Sequence, residues 1–364
     1  MIIYLFVAIF PLLVGTFYNT KIIPNATEEM LQTKKHQQNR WWWLFIAALP
    51  MFALIAFRAP SIGADTGGYL KYFNQMVNTS WVDIFEVNSR RYEFEEGFVI
   101  FEKLITCITD SAEVYQVIYS SVYLCAVVTF ANWLDKHNFS FLFFFATLGV
   151  YMFMFTGVRQ CLAMSICLLS YKFIKERKLI PFLIMLLLAF LFHKSAILFL
   201  AAYLIYNRKI NWQNGLIYTV ICALSFLFID NIQQWFNNAL DYEYEVEQTG
   251  NGFIFFAVVF LITAFSYITI LYYKKSTHES NGLMNIGVIT LCLWFVRLAT
   301  RVAERPSFYF MFFTAAMLCY GLDAPKNVDD KKIFKIFVYG ACLALYVYKF
   351  LTSYASVIPY KTFF

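Results

Sequence analysis

Runs of 15 or more apolar residues, separated by short polar connectors, leave this chain few ways to fold. An α-helix satisfies its backbone hydrogen bonds within itself, so such runs become membrane-spanning helices, and a hydrocarbon core of about 30 Å takes about 20 residues of helix. Composition points the same way. Of 364 residues, 60% are apolar, 21% aromatic and only 14% charged, against about 25% charge in an ordinary soluble domain. A water-soluble enzyme and a disordered chain are excluded. The expected fold class is all-α, with residues 1–364 forming a single polytopic membrane domain.

Spans are expected near residues 1–18, 41–57, 114–134, 139–156, 158–174, 216–229, 253–273, 283–298, 306–322 and 333–352. The first lacks a basic start and a small-residue cleavage site, so it reads as a retained span and not a signal peptide. The stretch 179–206 holds 28 nearly unbroken apolar residues with His193 and Lys194 in the middle. It is too long for one upright span and too short for two full ones. Lysine and arginine concentrate in cytoplasmic loops, which puts the connectors 19–40 and 172–178 inside. A break at His193 then keeps Arg208, Lys209, Lys274, Lys275, Lys326, Lys331, Lys332 and Lys335 inside and the acidic loop 230–250 outside. A single tilted helix inverts every later loop and turns Asp241, Glu243, Glu245 and Glu247 to the cytoplasm. The broken form is expected, giving about twelve membrane segments with both termini outside. The net charge of +6 resides in the connectors, so it reads as a topology signal and not as a nucleic-acid surface.

Two outer loops follow from this arrangement, 58–113 and 230–251. In the first, Phe98, Phe101, Leu104, Ile105 and Ile108 recur at helical spacing opposite Glu95, Glu102 and Lys103, the pattern of an amphipathic helix lying in the interface. Trp235, Phe236 and Leu240 suggest a second. The eight cysteines form no disulfide or metal framework and read as packing residues.

Charged residues within or at the ends of spans are costly, and each invites a functional reading. In the expected topology they gather on one membrane surface. Arg159 follows Gly157 and opens a span together with Gln160; a helix amino terminus plus a guanidinium favours anions, although an arginine also snorkels to headgroups as a plain anchor. His193 sits at the break, where an imidazole can move a proton or bond a phosphate oxygen, or simply satisfy the break. His36, His137 and His278 read as solvated loop residues. Arg297, Arg301 and Arg305 recur every fourth residue; on a helix they stack along one face, with Glu304 able to pair only one of them well. Pro306 suits the first position of the next helix. Arg58 leaves the membrane, and Pro60 and Gly63 turn the chain to present Asp65 near Thr66 and Tyr69. Asp65 is placed to take a proton from a hydroxyl or to cap the helix beginning at Thr66.

The segments FRAPSIGADTGGY, GVRQCLAM, FHKSAI and RVAERPSFYF, followed by a terminal VIPY, occur in the order that marks the EpsG-like family of bacterial exopolysaccharide polymerases, which the chain resembles over most of its length. That family is similar to Wzy-type O-antigen and capsule polymerases and, in architecture, to GT-C-like membrane glycosyltransferases. The resemblance implies a polymerase of lipid-linked oligosaccharide repeat units in the bacterial cytoplasmic membrane, with its active site on the outer face. The substrate is a polyprenyl-diphosphate-linked oligosaccharide and no nucleotide sugar is needed. Membrane lipids, a chain-length regulator and a flippase are the implied partners, and no cofactor, metal or nucleic acid is expected.

Carried onto these residues, the resemblance and the residue chemistry together assign His193 and Asp65 as catalytic groups. Arg159, Arg301, Arg305 and Arg58 are assigned to the diphosphate, and Gln160, Tyr69 and Tyr309 to the substrate. Arg305 best fits the spacing to the aromatic pair Tyr309 and Phe310, with Arg301 as the alternative. No carboxylate pair suited to a covalent intermediate stands out, so inversion is expected. The rival readings are a transferase that uses a polyprenyl-phosphate sugar, with Asp65 as base, and a polysaccharide or lipid transporter.

Overall fold

The computed structural model of the protein describes residues 1–22, 34–134, 137–208, 212–231, 234 and 252–364. Among these residues the regular structure is helical, apart from one isolated antiparallel bridge between Arg58 and Thr362. In chain order the helices are α1 (Ile2–Phe17), α2 (Lys34–Ala56), α3 (Thr66–Val77), α4 (Ile84–Arg91), α5 (Glu96–Thr106), α6 (Ala112–Trp133), α7 (Asn138–Thr147) and α8 (Val150–Phe153). They continue as α9 (Val158–Lys175), α10 (Leu179–Phe192), α11 (Leu200–Ile205), α12 (Trp212–Leu227), α13 (Phe253–Tyr272), α14 (His278–Val296), α15 (Glu304–Asp323) and α16 (Val328–Thr352).

Six helices among the described residues are long and apolar enough to cross a membrane: Ile2–Ile22, Asn39–Ala56, Ala112–Trp133, Phe253–Tyr272, His278–Val296 and Val328–Thr352. Shorter apolar helices, such as Leu179–Phe192 and Lys194–Ile205, accompany them. The chain is a multi-pass membrane protein. The expected single span over 139–156 is divided, because Gly149 turns the backbone through a positive φ of 92° between α7 and α8. The expected break at His193 is present: α10 ends at Phe192, and a 3-10 turn over Lys194–Phe199 leads into α11. The second outer helix, at Trp235, Phe236 and Leu240, and the acidic residues Asp241 to Glu247 lie outside the described residues.

The chain forms two compact units. The first comprises Met1–Leu169, Leu187–His193 and Val338–Phe364, and the second Ser170–Leu186 and Lys194–Phe337. In the first, α1 packs on α2 and α7, α2 packs on α6, and α3 rests on α5 and α6. The chain end straps this unit together. Ala59 N donates to Lys361 O (2.8 Å), Gly63 N to Ser356 O (3.0 Å) and Phe363 N to Phe57 O (3.2 Å). The Tyr4 hydroxyl donates to Val357 O (2.7 Å) and the Tyr360 hydroxyl to Leu54 O (3.2 Å). In the second unit α14 and α15 pack along each other and against α13. Thr277 and Ser280 form a reciprocal capping box at the start of α14.

Helix α5 forms where expected, and it buries charged groups together with apolar ones, Phe98, Val99 and Ile105 among them. Glu95, Glu102 and Lys103 are buried, whereas Ile100, Leu104 and Ile108 are exposed. The inward charged groups have protein partners: Tyr115 donates its hydroxyl to Glu102, and Lys103 Nζ donates to Met76 O (2.9 Å). Buried polar groups of this kind are tolerated where they find hydrogen bonds inside the protein.

Candidate active site

The loop between α2 and α3 is built around Arg58, which has no exposed surface. Its Nη1 donates to Ile55 O at the end of α2, its Nη2 to the Tyr119 hydroxyl (2.9 Å) and its Nε to Thr66 Oγ1 (3.2 Å). The guanidinium also lies 5.7 Å from the Tyr119 ring centre and 5.5 Å from that of Phe155. A cation at a helix carboxyl end meets the negative end of the helix dipole, which offsets part of its desolvation. Gly63 adopts a φ of 88°, and a Cβ there would fall 1.9 Å from the Phe155 carbonyl oxygen. Only glycine allows this turn. Asp65 occupies the position before α3, is exposed, and makes no capping bond with its side chain.

Four helix ends in this unit bring a second set of groups together. Arg159 lies in the first turn of α9 with 18% of its side chain exposed. Its Nη1 donates to Glu95 Oε2, its Nε lies 3.4 Å from the Tyr69 hydroxyl on α3, and its guanidinium stacks 4.2 Å from the Phe94 ring centre. Glu95 immediately precedes α5 in an extended conformation and caps nothing with its side chain, which is turned to Arg159. The position of Phe94 is set by Asn88: Phe94 N donates to Asn88 Oδ1 (3.1 Å) and Asn88 Nδ2 to Phe94 O (2.8 Å).

His193, at the end of α10, approaches from the other side. Its Nδ1 is 3.8 Å from Glu95 Oε1, within ion-pair range and beyond a hydrogen bond. The approach depends on Gly97, since any Cβ there would fall 2.7 Å from Leu191. Phe101 packs edge-on against Phe192 to hold the same pair of helices. Burial pushes the Tyr69 hydroxyl above the usual phenol range, against the opposing pull of Arg159. Gln160 is buried beside Arg159. Glu95 went unrecognised in the sequence because it reads there as one more acid on the polar face of α5.

The order of segments therefore acquires a geometry, and comparison with known families settles its kinship: the EpsG family model matches residues 41–362. The chain belongs to the EpsG family. No curated protein and no solved structure matches it. As an EpsG protein it is a membrane protein of exopolysaccharide-polymerase type, similar to glycosyltransferases. The matched range takes in both the Arg58 loop and nearly all of the terminal strap that holds it.

The later arginines of this EpsG chain belong to the second unit and do not form the expected helical stack. Helix α14 ends at Val296, a 3-10 turn spans Arg301–Ala303, and α15 begins at Glu304. The Thr300 hydroxyl accepts from Val302 N and starts that turn, which interrupts the four-residue repeat. Pro306 thus falls third in α15 and not first, still within the turn that needs no amide donor. Arg297 is buried and its Nε donates to Glu304 Oε2 (2.8 Å), while Arg301 and Arg305 are exposed. Three arginines and one glutamate give residues 297–305 a formal +2. Tyr309 is buried and accepts a hydrogen bond from Ser195 Oγ (3.3 Å). Of the remaining histidines, His137 is buried, contrary to expectation, and His278 lies 3.0 Å from Asn207 Oδ1.

Proposed function

We propose that this chain polymerises lipid-linked oligosaccharide repeat units at the outer face of the bacterial cytoplasmic membrane. A glycan passes from polyprenyl diphosphate to a sugar hydroxyl of a second lipid-linked unit. The observation that carries this reading is the meeting of Arg159, Glu95, His193 and Tyr69, from four separate parts of an EpsG sequence, at one set of helix ends. His193 takes the acceptor hydroxyl proton as that oxygen bonds to the anomeric carbon. The bond from that carbon to the diphosphate oxygen breaks, and its electron pair leaves on the diphosphate. Attack and departure on opposite faces invert the configuration.

Arg159 serves the departing diphosphate, since a fixed cation aimed at developing negative charge is a large source of rate acceleration. Arg58 is left out of that role because its guanidinium is enclosed by protein. Asp65, exposed before α3, is the alternative base, and Tyr69 is a substrate contact. Gln160 and Tyr309 are buried and act as supports for their neighbours. The reading is metal-independent, and a flippase and a chain-length regulator are its expected partners.

A strain lacking the chain is expected to display single repeat units in place of polymer on a gel of surface polysaccharide, and His193→Ala should fail to restore the ladder. A full ladder from His193→Ala overturns the assignment of the base. Purified protein in detergent, supplied with lipid-linked units extracted from the deletion strain, should elongate them without a second compartment. Transport without elongation would instead favour a flippase.

A further inference from the structure

Among the described residues, Glu95 is a carboxylate in contact with both Arg159 and His193. Its Oε2 receives Arg159 Nη1 and its Oε1 lies 3.8 Å from His193 Nδ1, with 3% of its side chain exposed. The bond to Arg159 engages one oxygen of the buried carboxylate. The second oxygen faces the imidazole at 3.8 Å. A buried carboxylate 3.8 Å from a ring nitrogen acts through its charge, stabilising the imidazolium once a proton has been accepted. Glu95 itself is a poorer candidate for the base, because its Oε2 is engaged by the guanidinium.

We infer that Glu95 is a positioning residue whose charge strengthens His193 as the general base and ties it to the diphosphate-binding Arg159. The inference rests on the reading of His193 as base. It also gives the pair a coupling. A dianion drawing on Arg159 competes with Glu95 for the guanidinium, so binding of the donor releases carboxylate charge toward the imidazole and strengthens the base when substrate is present. The charged and phenolic groups at the helix ends that meet here are Glu95 and the exposed Glu96 at the head of α5, Arg159 on α9 and Tyr69 on α3, with Lys71 and Tyr72 farther along α3, Glu102 and Lys103 along α5, and Tyr171, Lys172 and Lys175 along α9. Asp65 precedes α3, and Lys194 is the chain neighbour of His193.

The test is the pH dependence of kcat/KM for elongation, measured on full-length protein in detergent with lipid-linked units extracted from the deletion strain. An opposite charge at this range shifts an ionisation by about 1 pH unit or more. In Glu95→Gln the acid limb should therefore move about 1 unit lower, with kcat reduced more than KM is changed. Glu95→Asp, set back by one methylene, should move the limb in the same direction by less. If Glu95→Gln is not recovered from the membrane, Glu95→Asp decides alone. An acid limb that stays in place in every recovered Glu95 variant overturns the inference, since a merely structural carboxylate would lower yield without moving the profile. His193→Ala separates this failure from failure of the underlying reading. No elongation at any pH upholds the base, and elongation with the wild-type profile removes it.

Discussion

Arg58 and Arg159 lie at corresponding places in the sequence pattern, each at the end of an apolar helix beside a glycine turn, and both read there as anion-binding cations. Their surroundings set them apart. Arg58 has no exposed surface, and its donors go to a helix carbonyl, a threonine and a tyrosine. Arg159 keeps 18% of its side chain exposed, stacks on one aromatic ring, and shares a carboxylate with a histidine. An enclosed guanidinium with its hydrogens committed can only hold a fold together. A partly open one, paired with a group that has another partner, can exchange that partner for a ligand.

The same substitution at the two arginines gives the largest contrast. Arg58→Lys loses the planar fork that serves three acceptors at once. Burying a charge with lost bonds costs about 3–5 kcal/mol, so this variant should be scarcely recoverable from the membrane by size-exclusion chromatography. Arg159→Lys keeps a cation for Glu95. It should be recovered at near-normal yield yet elongate glycan about 10- to 100-fold more slowly, as expected for a lost charge-assisted contact to a departing diphosphate. Equal yields, or equal activities, would erase the distinction.

Next in size is Gly63→Ala, which forces a methyl group against the Phe155 carbonyl oxygen at a positive φ. A strained position of this kind costs about 1–3 kcal/mol, and the thermal midpoint in detergent should fall accordingly. Were it unchanged, the Arg58 loop would be softer than the strap of hydrogen bonds indicates.

A smaller effect isolates the strap itself. Phe363→Pro removes the amide that donates to Phe57 O, while Phe363→Ala keeps it and removes only the ring that packs on Phe57. The proline variant should be less stable than the alanine variant by about 1 kcal/mol, the net worth of one hydrogen bond. Identical midpoints would exclude the strap from the Arg58 side of the comparison.

The smallest effect concerns Glu102, the other acid buried on α5. Burial pushes its carboxyl well above the usual carboxylate range, outweighing the Tyr115 hydrogen bond. A group that holds its proton more tightly when folded contributes stability that is fully present below pH 4.5, the ordinary value, and is lost as pH rises toward the folded one. Glu102→Gln, neutral at every pH, should flatten that decline in the thermal midpoint. It should leave elongation intact, in contrast to Glu95→Gln.

Much of the architecture was legible because lipid is an unforgiving solvent. Apolar length announced the helices, and His193 and Lys194 marked the break in a run that nothing else interrupted. The two-faced pattern of α5 did not foretell that Glu102 and Lys103 would be buried along with Phe98 and Ile105. The regular spacing of Arg297, Arg301 and Arg305 promised a stack that the Thr300 turn dissolves. Glu95 was visible only as a letter among Glu93, Glu95 and Glu96, and its importance comes from Arg159 and His193, 64 and 98 positions away in the chain.

By itself the sequence determined that this chain enters a membrane as helices, that it carries arginines and a histidine at their ends, and that it is of EpsG type. Those properties depend on side-chain chemistry summed along the chain, which needs no folding to be read. Only the tertiary structure decided which arginine is sealed in and which is open, and which acid joins Arg159 to His193. Burial and pairing depend on groups brought together from distant segments, and no local pattern encodes that meeting.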